Sequence, residues 1–218
     1  MTETLAATRR SWHAVAELVL AGPQDRASHS IKLRVVPGGF ATTKEPALRV
    51  ERGFLVRGDD RIPLDGATPA ALGAAIGAPA GTPEGRYEGG SGVAPDETLT
   101  IDARAVAVLA GAFGLGDAAL RDFQRRLRSG SGEHSAPDVT PVLWPEHFDV
   151  GITVDEVNYG VSPGDSFSAE PYAYVGPWQP RTGSFWNAPF GSARPVADFT
   201  TVDALVAYFR EGSSHAVA

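Results

Sequence analysis

The chain has 218 residues, of which 43% are apolar and 21% are charged, and its formal net charge is −7. This composition supplies a buried core, and the acidic balance gives little attraction for phosphate backbones or anionic lipid, so we expect neither nucleic-acid nor membrane binding. The chain has no cysteine, which excludes disulfides, thiolate nucleophiles and cysteine-ligated metals. This absence fits a reducing compartment, and the N-terminus is too polar for a signal peptide or membrane span, so a soluble cytoplasmic protein is expected.

The N-terminal part of the sequence predicts a helix followed by a meander of short strands. Apolar residues recur at helical spacing over 3–20, and the dipeptide Gly22–Pro23 then signals the helix end. His13 and Glu17 lie one turn apart on this helix. They form a minor candidate pair, for which a structural contact is the favoured interpretation. Four or five short strands over 29–65 follow, and their tight turns predict antiparallel neighbours.

The middle of the chain predicts helices separated by loops. The predicted elements, in order, are a short helix opening at Thr68, an exposed loop over 79–95, a strand over 97–101, helices over 103–115 and 118–127, and a flexible loop over 129–138. The glycine–aspartate step at Gly116 divides the two longer helices. The flexible loop is also a candidate domain linker.

Strands return in the C-terminal part. Alternating residues predict one long strand over 147–157 and a second over 171–178, before an aromatic loop over 184–191 and a closing helix over 201–212. Two strands are too few to form the core of a separate C-terminal domain, which favours a loop over a domain linker at 129–138. Because strands and helices occur in runs, the predicted fold class is α+β, with a mostly antiparallel sheet and an N-terminal β-meander packed by helices. The chain is predicted to form a single domain over 1–218.

The long C-terminal strand places ionisable side chains on one face. His147 and Asp149 alternate with Phe148 and Val150, which point to the opposite side. Imidazole titrates near neutral pH, so His147, oriented by Asp149, is a candidate general acid or base. Two alternatives stay open, a structural pair and a metal site with a third ligand such as Glu170. No metal or cofactor is assigned.

The second strand and the loops near it supply candidate ligand-binding residues. These are Glu170, Tyr172 and Tyr174 on the polar–aromatic face of the strand, Asn158 in the preceding turn, and Trp186 in the aromatic loop. Gly151 and Gly176 leave the same face without side chains locally, as the floor of a pocket requires. The aromatic loop is either a lid over this site or a plug packed onto the core.

Several blocks of the sequence resemble an uncharacterised bacterial family of actinobacterial type, a domain of unknown function with a WPEHFD-like strand. The blocks are "SWHAVAEL", "IKLRVV", "DARAVAVLAGAF…ALRDFQRRL", "WPEHFDVGIT" and "EPYAYVGPW", and closer relatives share "NYGVSPGD" and "FWNAPFG". The similarity covers most of the chain in order. It supports the single-domain interpretation, and it implies no activity because the family has no assigned catalytic residue.

Together these patterns predict a protein that binds a small molecule, with or without catalysis. The site hypothesis places five side chains in one cavity under the aromatic loop: His147, Asp149, Glu170, Tyr172 and Tyr174. The alternative is a non-catalytic interaction protein that docks a partner, or a second copy, through the aromatic loop. The sequence leaves the oligomeric state and the ligand open.

Overall fold

The computed structural model describes residues 2–130 and 139–217. Within these ranges helices combine with ten strands, and the strand pairs are antiparallel, so the predicted α+β fold class is confirmed. The chain forms two compact units. Unit one comprises Met1–Gly111 with Leu143–Phe148, and unit two comprises Ala112–Val142 with Asp149–Ala218. The single domain stays a prediction, and most of the predicted flexible loop lies outside the described residues.

Unit one opens with three helical segments that follow one another without a break. They are α1 (Thr2–Ala14), a π-helix (Val15–Ala21) and α2 (Gly22–Ser28). The predicted helix end at Gly22–Pro23 is therefore wrong. The Gly22 N–H donates to the carbonyl of Glu17, five residues earlier, as a π-helix requires. The helix ends at His29, whose φ of 51° is left-handed.

The Gly22–Pro23 step forms a notch on this helix instead of ending it. Proline has no N–H to donate. The carbonyl of Leu18, five residues before Pro23, therefore receives no hydrogen bond from the proline. It accepts one of 2.9 Å from Gly81 N–H instead. A Cβ on Gly22 would lie 1.7 Å from the Gly81 carbonyl oxygen. The two residues that break helices elsewhere thus let a distant loop approach the helix backbone.

The strands of unit one confirm the predicted meander. They are β1 (Leu33–Val36), β2 (Gly39–Thr42), β3 (Arg49–Glu51), β4 (Phe54–Arg57) and β5 (Asp60–Pro63). A later strand, β6 (Val142–Trp144), pairs with β1 through Leu143 and lies outside the predicted meander. Leu33, Phe40 and Leu55 are buried on one face, and Trp12 packs edge-on against Phe40 at 5.4 Å between ring centroids. The alternation of the sequence therefore sets which face of the meander enters the core.

Two further helices follow the meander. α3 (Pro69–Ala75) begins where predicted, because the Thr68 hydroxyl accepts a hydrogen bond from Ala71 N–H at 3.1 Å. The predicted strand over 97–101 is wrong, since this stretch forms no strand. The two helices predicted on either side of Gly116 are one helix, α4 (Ala103–Gly130).

α4 is the only helix in the described ranges that is long and apolar enough to cross a membrane by length and composition. The core helices of soluble proteins pass the same test, and α4 buries Phe113, Leu120 and Phe123. The helix therefore gives little support for a membrane span.

Unit two builds a sheet in the order β10-β9-β8-β7, followed by helices. The strands are β7 (Asp149–Val154), β8 (Val157–Ser162), β9 (Tyr172–Pro177) and β10 (Ser192–Pro195); a 3-10 helix (Val196–Asp198) and α5 (Val202–Val217) come last. One face packs against the helices, where Phe123 lies 4.8 Å from Tyr159 and 5.8 Å from Phe209 between ring centroids. The closing helix is confirmed.

The long strand predicted over 147–157 is wrong at both ends. Residues 145–148 form a turn in which Phe148 has a φ of 54°, so the strand begins at Asp149. Asp155 and Glu156, with φ of 50° and 61°, form a hairpin turn that separates β7 from β8. Strand alternation therefore does not extend to His147, which is exposed, whereas Asp149 is buried.

Candidate functional site

The polar face of the sheet in unit two carries several of the predicted site residues. Tyr174 lies opposite Gly160 in the β8–β9 register, and a Cβ on Gly160 would lie 2.4 Å from the Tyr174 Cζ. A Cβ on Gly151 would lie 3.0 Å from the hydroxyl of the same tyrosine, which donates to the Asp149 carboxylate. Gly151, predicted as part of an open floor, therefore makes room for the Tyr174 side chain.

Both tyrosines of β9 donate to carboxylates. The Tyr172 hydroxyl donates to Asp165 at 2.7 Å, as Tyr174 does to Asp149. Burial, followed by the Asp149 charge, raises the pKa of Tyr174, and burial with the Asp165 hydrogen bond raises the pKa of Tyr172. Both hydroxyls are therefore protonated hydrogen-bond donors at neutral pH. Phe190 packs beside both rings, at 6.1 Å and 6.5 Å between centroids.

Three other predicted residues lie elsewhere. Glu170 is exposed and precedes β9. Asn158 is exposed in β8, and its Oδ1 accepts hydrogen bonds from Thr153 Oγ1 at 2.7 Å and from Trp178 Nε1 at 3.4 Å. His147 belongs to unit one, whereas the other four members of the predicted cavity belong to unit two. The grouping of all five residues in one cavity stays a prediction.

The aromatic loop divides between two surroundings. Phe185 is buried, with its ring centroid 4.8 Å from that of His215 and 5.7 Å from that of Tyr208, both on α5. Trp186 is half-buried and packs edge-on against Phe185 at 4.9 Å. Phe190 instead lies against the β9 tyrosines. The first part of the loop is therefore a plug on α5 and the last part a cover for the polar face.

Unit one contains a second polar cluster, centred on the minor candidate pair of the first helix. We call His13, Glu17, Tyr87, Glu146 and His147 the acid–histidine cluster. Glu17 lies in the π-helix and is 2% exposed. Its carboxylate accepts hydrogen bonds from Ser91 N–H at 2.8 Å, Ser91 Oγ at 2.7 Å and the Tyr87 hydroxyl at 3.3 Å. π-Helical turns occur frequently at functional sites.

The geometry of His13 fixes its protonation. Its Nε2 lies 2.7 Å from the carbonyl oxygen of Pro145. A carbonyl only accepts, so Nε2 carries the proton. Burial lowers the pKa of His13 against the opposing effect of this hydrogen bond, and the nearby His147 lowers it further. The ring is therefore neutral at neutral pH, with Nδ1 as a free base, and it stacks on Phe148 at 5.2 Å.

Two buried polar atoms beside His13 have no hydrogen-bond partner within residues 2–130 and 139–217. They are the indole Nε1 of Trp12, a fully buried side chain, and Oε2 of Glu146. The two residues flank the contact between His13 and Pro145 in the sequence. Burial raises the pKa of Tyr87, and the charges of Glu17 and Glu146 raise it further. The cluster is thus acidic, with a neutral imidazole at one side.

A long irregular segment closes the cluster. Residues 79–102, which we call the strap, run antiparallel along the first helical segments and form neither helix nor strand. Polar residues of the helix bind it at successive points: Thr8 to Asp102, Ser11 to Thr100, Arg10 to Glu97 and Gly92, Glu17 to Ser91 and Tyr87, Asp25 to Arg86, and Arg26 to Pro79. Irregular segments of this length in compact units commonly carry function.

Metal binding finds no support in the described ranges, where no three His, Asp or Glu side chains are placed to hold a metal ion. Comparisons with protein-family models, with curated proteins and with solved structures give no match. The resemblance to the bacterial family therefore stays a prediction. Two of its blocks meet in unit one, where His13 of "SWHAVAEL" binds Pro145 of "WPEHFD".

One signal in the sequence points to this cluster, although the C-terminal strands are the stronger candidate there. Glu17 interrupts the apolar run between Ala14 and Ala21. An acid inside an apolar helical run is buried only when hydrogen bonds satisfy it. Its partners, Tyr87 and Ser91, lie in the segment predicted as an exposed loop, so only the folded chain identifies them.

Proposed function

We propose that this protein binds a small polar molecule at the acid–histidine cluster. The observation that carries the proposal is the pair of buried atoms, Trp12 Nε1 and Glu146 Oε2, which have no partner among the described residues. An unpaired buried polar group costs roughly 1–3 kcal/mol, and native proteins pair nearly all of them. A molecule that accepts from the indole and donates to the carboxylate would satisfy both atoms.

The charges of the cluster restrict the class of ligand. Glu17, Glu146 and Asp25 each raise the pKa of Tyr87, so all three act on one region. Arg86 is bound to Asp25 and balances one of these charges. An anionic ligand would be repelled by the remaining carboxylates. The ligand is therefore a neutral or cationic molecule with hydroxyl, amide or amine groups.

The neutral imidazole adds the capacity for proton transfer. His13 holds its proton at Nε2 and leaves Nδ1 to accept one. A ligand that gave up a proton there would leave an imidazolium, which the nearby Glu17 charge stabilises. The cluster is thus suited to general-base chemistry on a hydroxyl or amine, which makes an enzyme the more specific form of the proposal.

The proposal is tested by ligand screening of the wild type and of two substitutions, each of which removes one of the unpaired polar groups. Neutral polyols, amides and amines are expected to raise the melting temperature of the wild type, whereas matched carboxylates are not. Trp12→Phe removes the N–H and also leaves a void in the core, so it is expected to lower the melting temperature as well. Glu146→Gln removes the charge with little change of shape and is expected to leave the melting temperature unchanged. Each substitution is expected to weaken binding at least about tenfold, about 1.4 kcal/mol.

Glu156→Gln is the matched control, because Glu156 is an exposed turn residue of unit two. It is expected to bind the same compounds with unchanged affinity. The proposal fails if no neutral or cationic compound binds the wild type, or if Trp12→Phe and Glu146→Gln bind as the wild type does.

Exposed aromatic side chains in unit two favour a second candidate function, a protein-interaction surface. Trp178, Phe167 and Phe190 are 60%, 46% and 37% exposed, and the last two pack edge-on at 5.0 Å between centroids. Adjacent exposed aromatics are typical of interfaces. Sedimentation of the wild type and of Phe167→Ser tests this candidate: the substitution should abolish any self-association, and a wild type that stays monomeric excludes a second copy as the partner.

We also propose that the protein is cytoplasmic and that it belongs to the bacterial family whose blocks it resembles. A chain without cysteine fits a reducing compartment. Fractionation of cells that produce the full chain tests the location, and recovery in the membrane fraction would contradict it.

A further inference from the structure

A groove on the exposed face of the meander in unit one has a different chemistry from the acid–histidine cluster. Its volume is ≈ 460 Å³, within the usual range for small-ligand sites. The lining residues are Arg34, Ala41, Thr42, Thr43, Lys44, Glu45, Ala47, Leu48 and Arg49. The lining therefore contains three cationic side chains and one carboxylate, although the protein is acidic overall.

Strand register places two of these cations on either side of a small residue. Arg34 of β1 and Arg49 of β3 both pair with Ala41 of the intervening β2. Neighbouring strands lie about 4.8 Å apart, so the two arginine backbones are separated by about 10 Å across the Ala41 methyl group. Two guanidinium groups at this spacing can converge on one oxyanion from opposite sides, because each presents a fork of donors.

The charges of the groove are available to a ligand. Arg34 and Lys44 form no ion pair with any residue of the described ranges. Arg49 shares Glu51 with Arg61, at 3.6 Å and 3.1 Å. The one acid of the lining, Glu45, accepts a hydrogen bond of 3.1 Å from Ala47 N–H and is thereby turned towards its own loop.

The wall of the groove is held in place by a buried amide. The Gln24 Oε1 accepts hydrogen bonds from the backbone N–H groups of Thr43 and Lys44, at 2.7 Å and 2.8 Å. Its Nε2 donates to the carbonyls of Ser30 and Lys32, at 2.7 Å and 3.0 Å. This side chain is fully buried, and all its bonds are made within unit one. The loop that carries Lys44 is therefore fixed before any ligand arrives, which lowers the entropy lost on binding.

We propose that this groove is a binding site for a small oxyanion-bearing molecule, a phosphate or carboxylate compound, held between Arg34, Lys44 and Arg49. The site is independent of the acid–histidine cluster, which repels anions. The acidic net charge and the size of the groove favour a small molecule over a nucleic acid as its occupant.

Isothermal titration of the full chain with inorganic pyrophosphate, citrate and a single-stranded oligonucleotide tests the proposal at low salt. Saturable binding of pyrophosphate or citrate, with a Kd below about 10 mM, is expected, and the tighter of the two shows which oxyanion the groove prefers. Arg34→Gln and Lys44→Gln should each weaken it at least about tenfold. Arg104→Gln is the matched control, since Arg104 is exposed on α4 outside the groove, and its affinity should equal that of the wild type.

Three results would overturn the proposal. The first is the absence of saturable binding of both small anions, and the second is an equal loss of affinity in Arg104→Gln and in the groove variants. The third is binding of the oligonucleotide more tightly than either small anion with the same loss on Arg34→Gln, because the site would then serve a nucleic acid. Unchanged melting temperatures of the two groove variants confirm that any loss is local.

Discussion

Substitutions of Glu17 test how much its buried carboxylate contributes to holding the strap against the helix, as distinct from the stability of the whole fold. Its carboxylate accepts three hydrogen bonds, two of them from Ser91 and one from Tyr87. In Glu17→Gln the amide oxygen can still accept from Ser91 and the amide N–H₂ can still donate to the Tyr87 oxygen. The shape of the network therefore survives, and only the charge is lost.

The magnitude follows from the difference between charged and neutral hydrogen bonds. A bond to a charged acceptor contributes about 1.5–3 kcal/mol, and a neutral one about 0.5–1.5 kcal/mol. Losing the charge on a buried acceptor of three such bonds should lower the free energy of unfolding by about 1–3 kcal/mol. Glu17→Ala leaves the donors of Tyr87 and Ser91 unpaired, so a larger loss of about 3–5 kcal/mol is expected, as for other broken buried networks.

Two assays distinguish a local from a global effect. Urea unfolding gives the global loss of stability. Trypsin cleavage after Arg86 reports opening of the strap, since the Arg86 side chain is bound to Asp25 of the helix. If opening is fast relative to cleavage, about 1.4 kcal/mol of lost local stability gives about tenfold faster cleavage. Glu88→Gln, an exposed acid of the same segment, is the control and should change stability by less than about 0.5 kcal/mol. If Glu17→Gln matches this control in both assays, the Glu17 charge does not hold the strap in place.

Three further predictions concern other parts of the chain. The pKa of His13 is lowered in the folded state, so the stability that this group contributes is present above the usual pKa near 6.5 and is lost as the pH falls through the lower folded pKa. In urea unfolding, the free energy of unfolding should fall by at most about 1.4 kcal/mol per pH unit because of this group. The fall should be absent in His13→Gln. Gly160→Ala should destabilise by about 1–3 kcal/mol because its Cβ would meet Tyr174. Gly114→Ala in α4 should stabilise by about 0.5–1 kcal/mol, because its Cβ would meet no described atom within 4 Å beyond its chain neighbours and its own helix backbone; equal thermal melts of the two variants would contradict this. Phe185→Ala should lower the free energy of unfolding in urea by about 3–5 kcal/mol, because Phe185 is buried. Phe190→Ala should lower it much less, because Phe190 is exposed. A loop that acted as a mobile lid would not give this order.

The sequence predicted the fold where local signals decide structure. Short alternating runs between turn residues identified the meander, and Thr68 marked the start of α3. Glycine gives a wrong prediction where tertiary packing decides which residue is present. Gly116 predicts a helix end, yet it lies inside α4. Glycine is present there because a Cβ would lie 2.9 Å from Val161 and 3.0 Å from Val150. Such a contact with a distant strand has no local signature.

The candidate sites were predictable to a similar extent. Alternation placed Tyr172 and Tyr174 on one face of β9 correctly, because the strand is regular. It failed at His147, since the left-handed φ of Phe148 ends the regular backbone before it. The environment of Glu17 depends on partners 70 and 74 residues away in the sequence, and no pattern within the helix identifies them.

The fixed course of the strap has a consequence for how the chain tolerates insertions and deletions. Loops usually accept extra residues at little cost, because closure entropy grows slowly with length. Here the helix binds the strap from Pro79 to Asp102, so an added residue would shift every downstream contact by one position. Length variants should therefore survive only at exposed points such as Gly89, whose Cβ position is open. A segment without regular secondary structure is thus as restricted in length as a strand within a sheet.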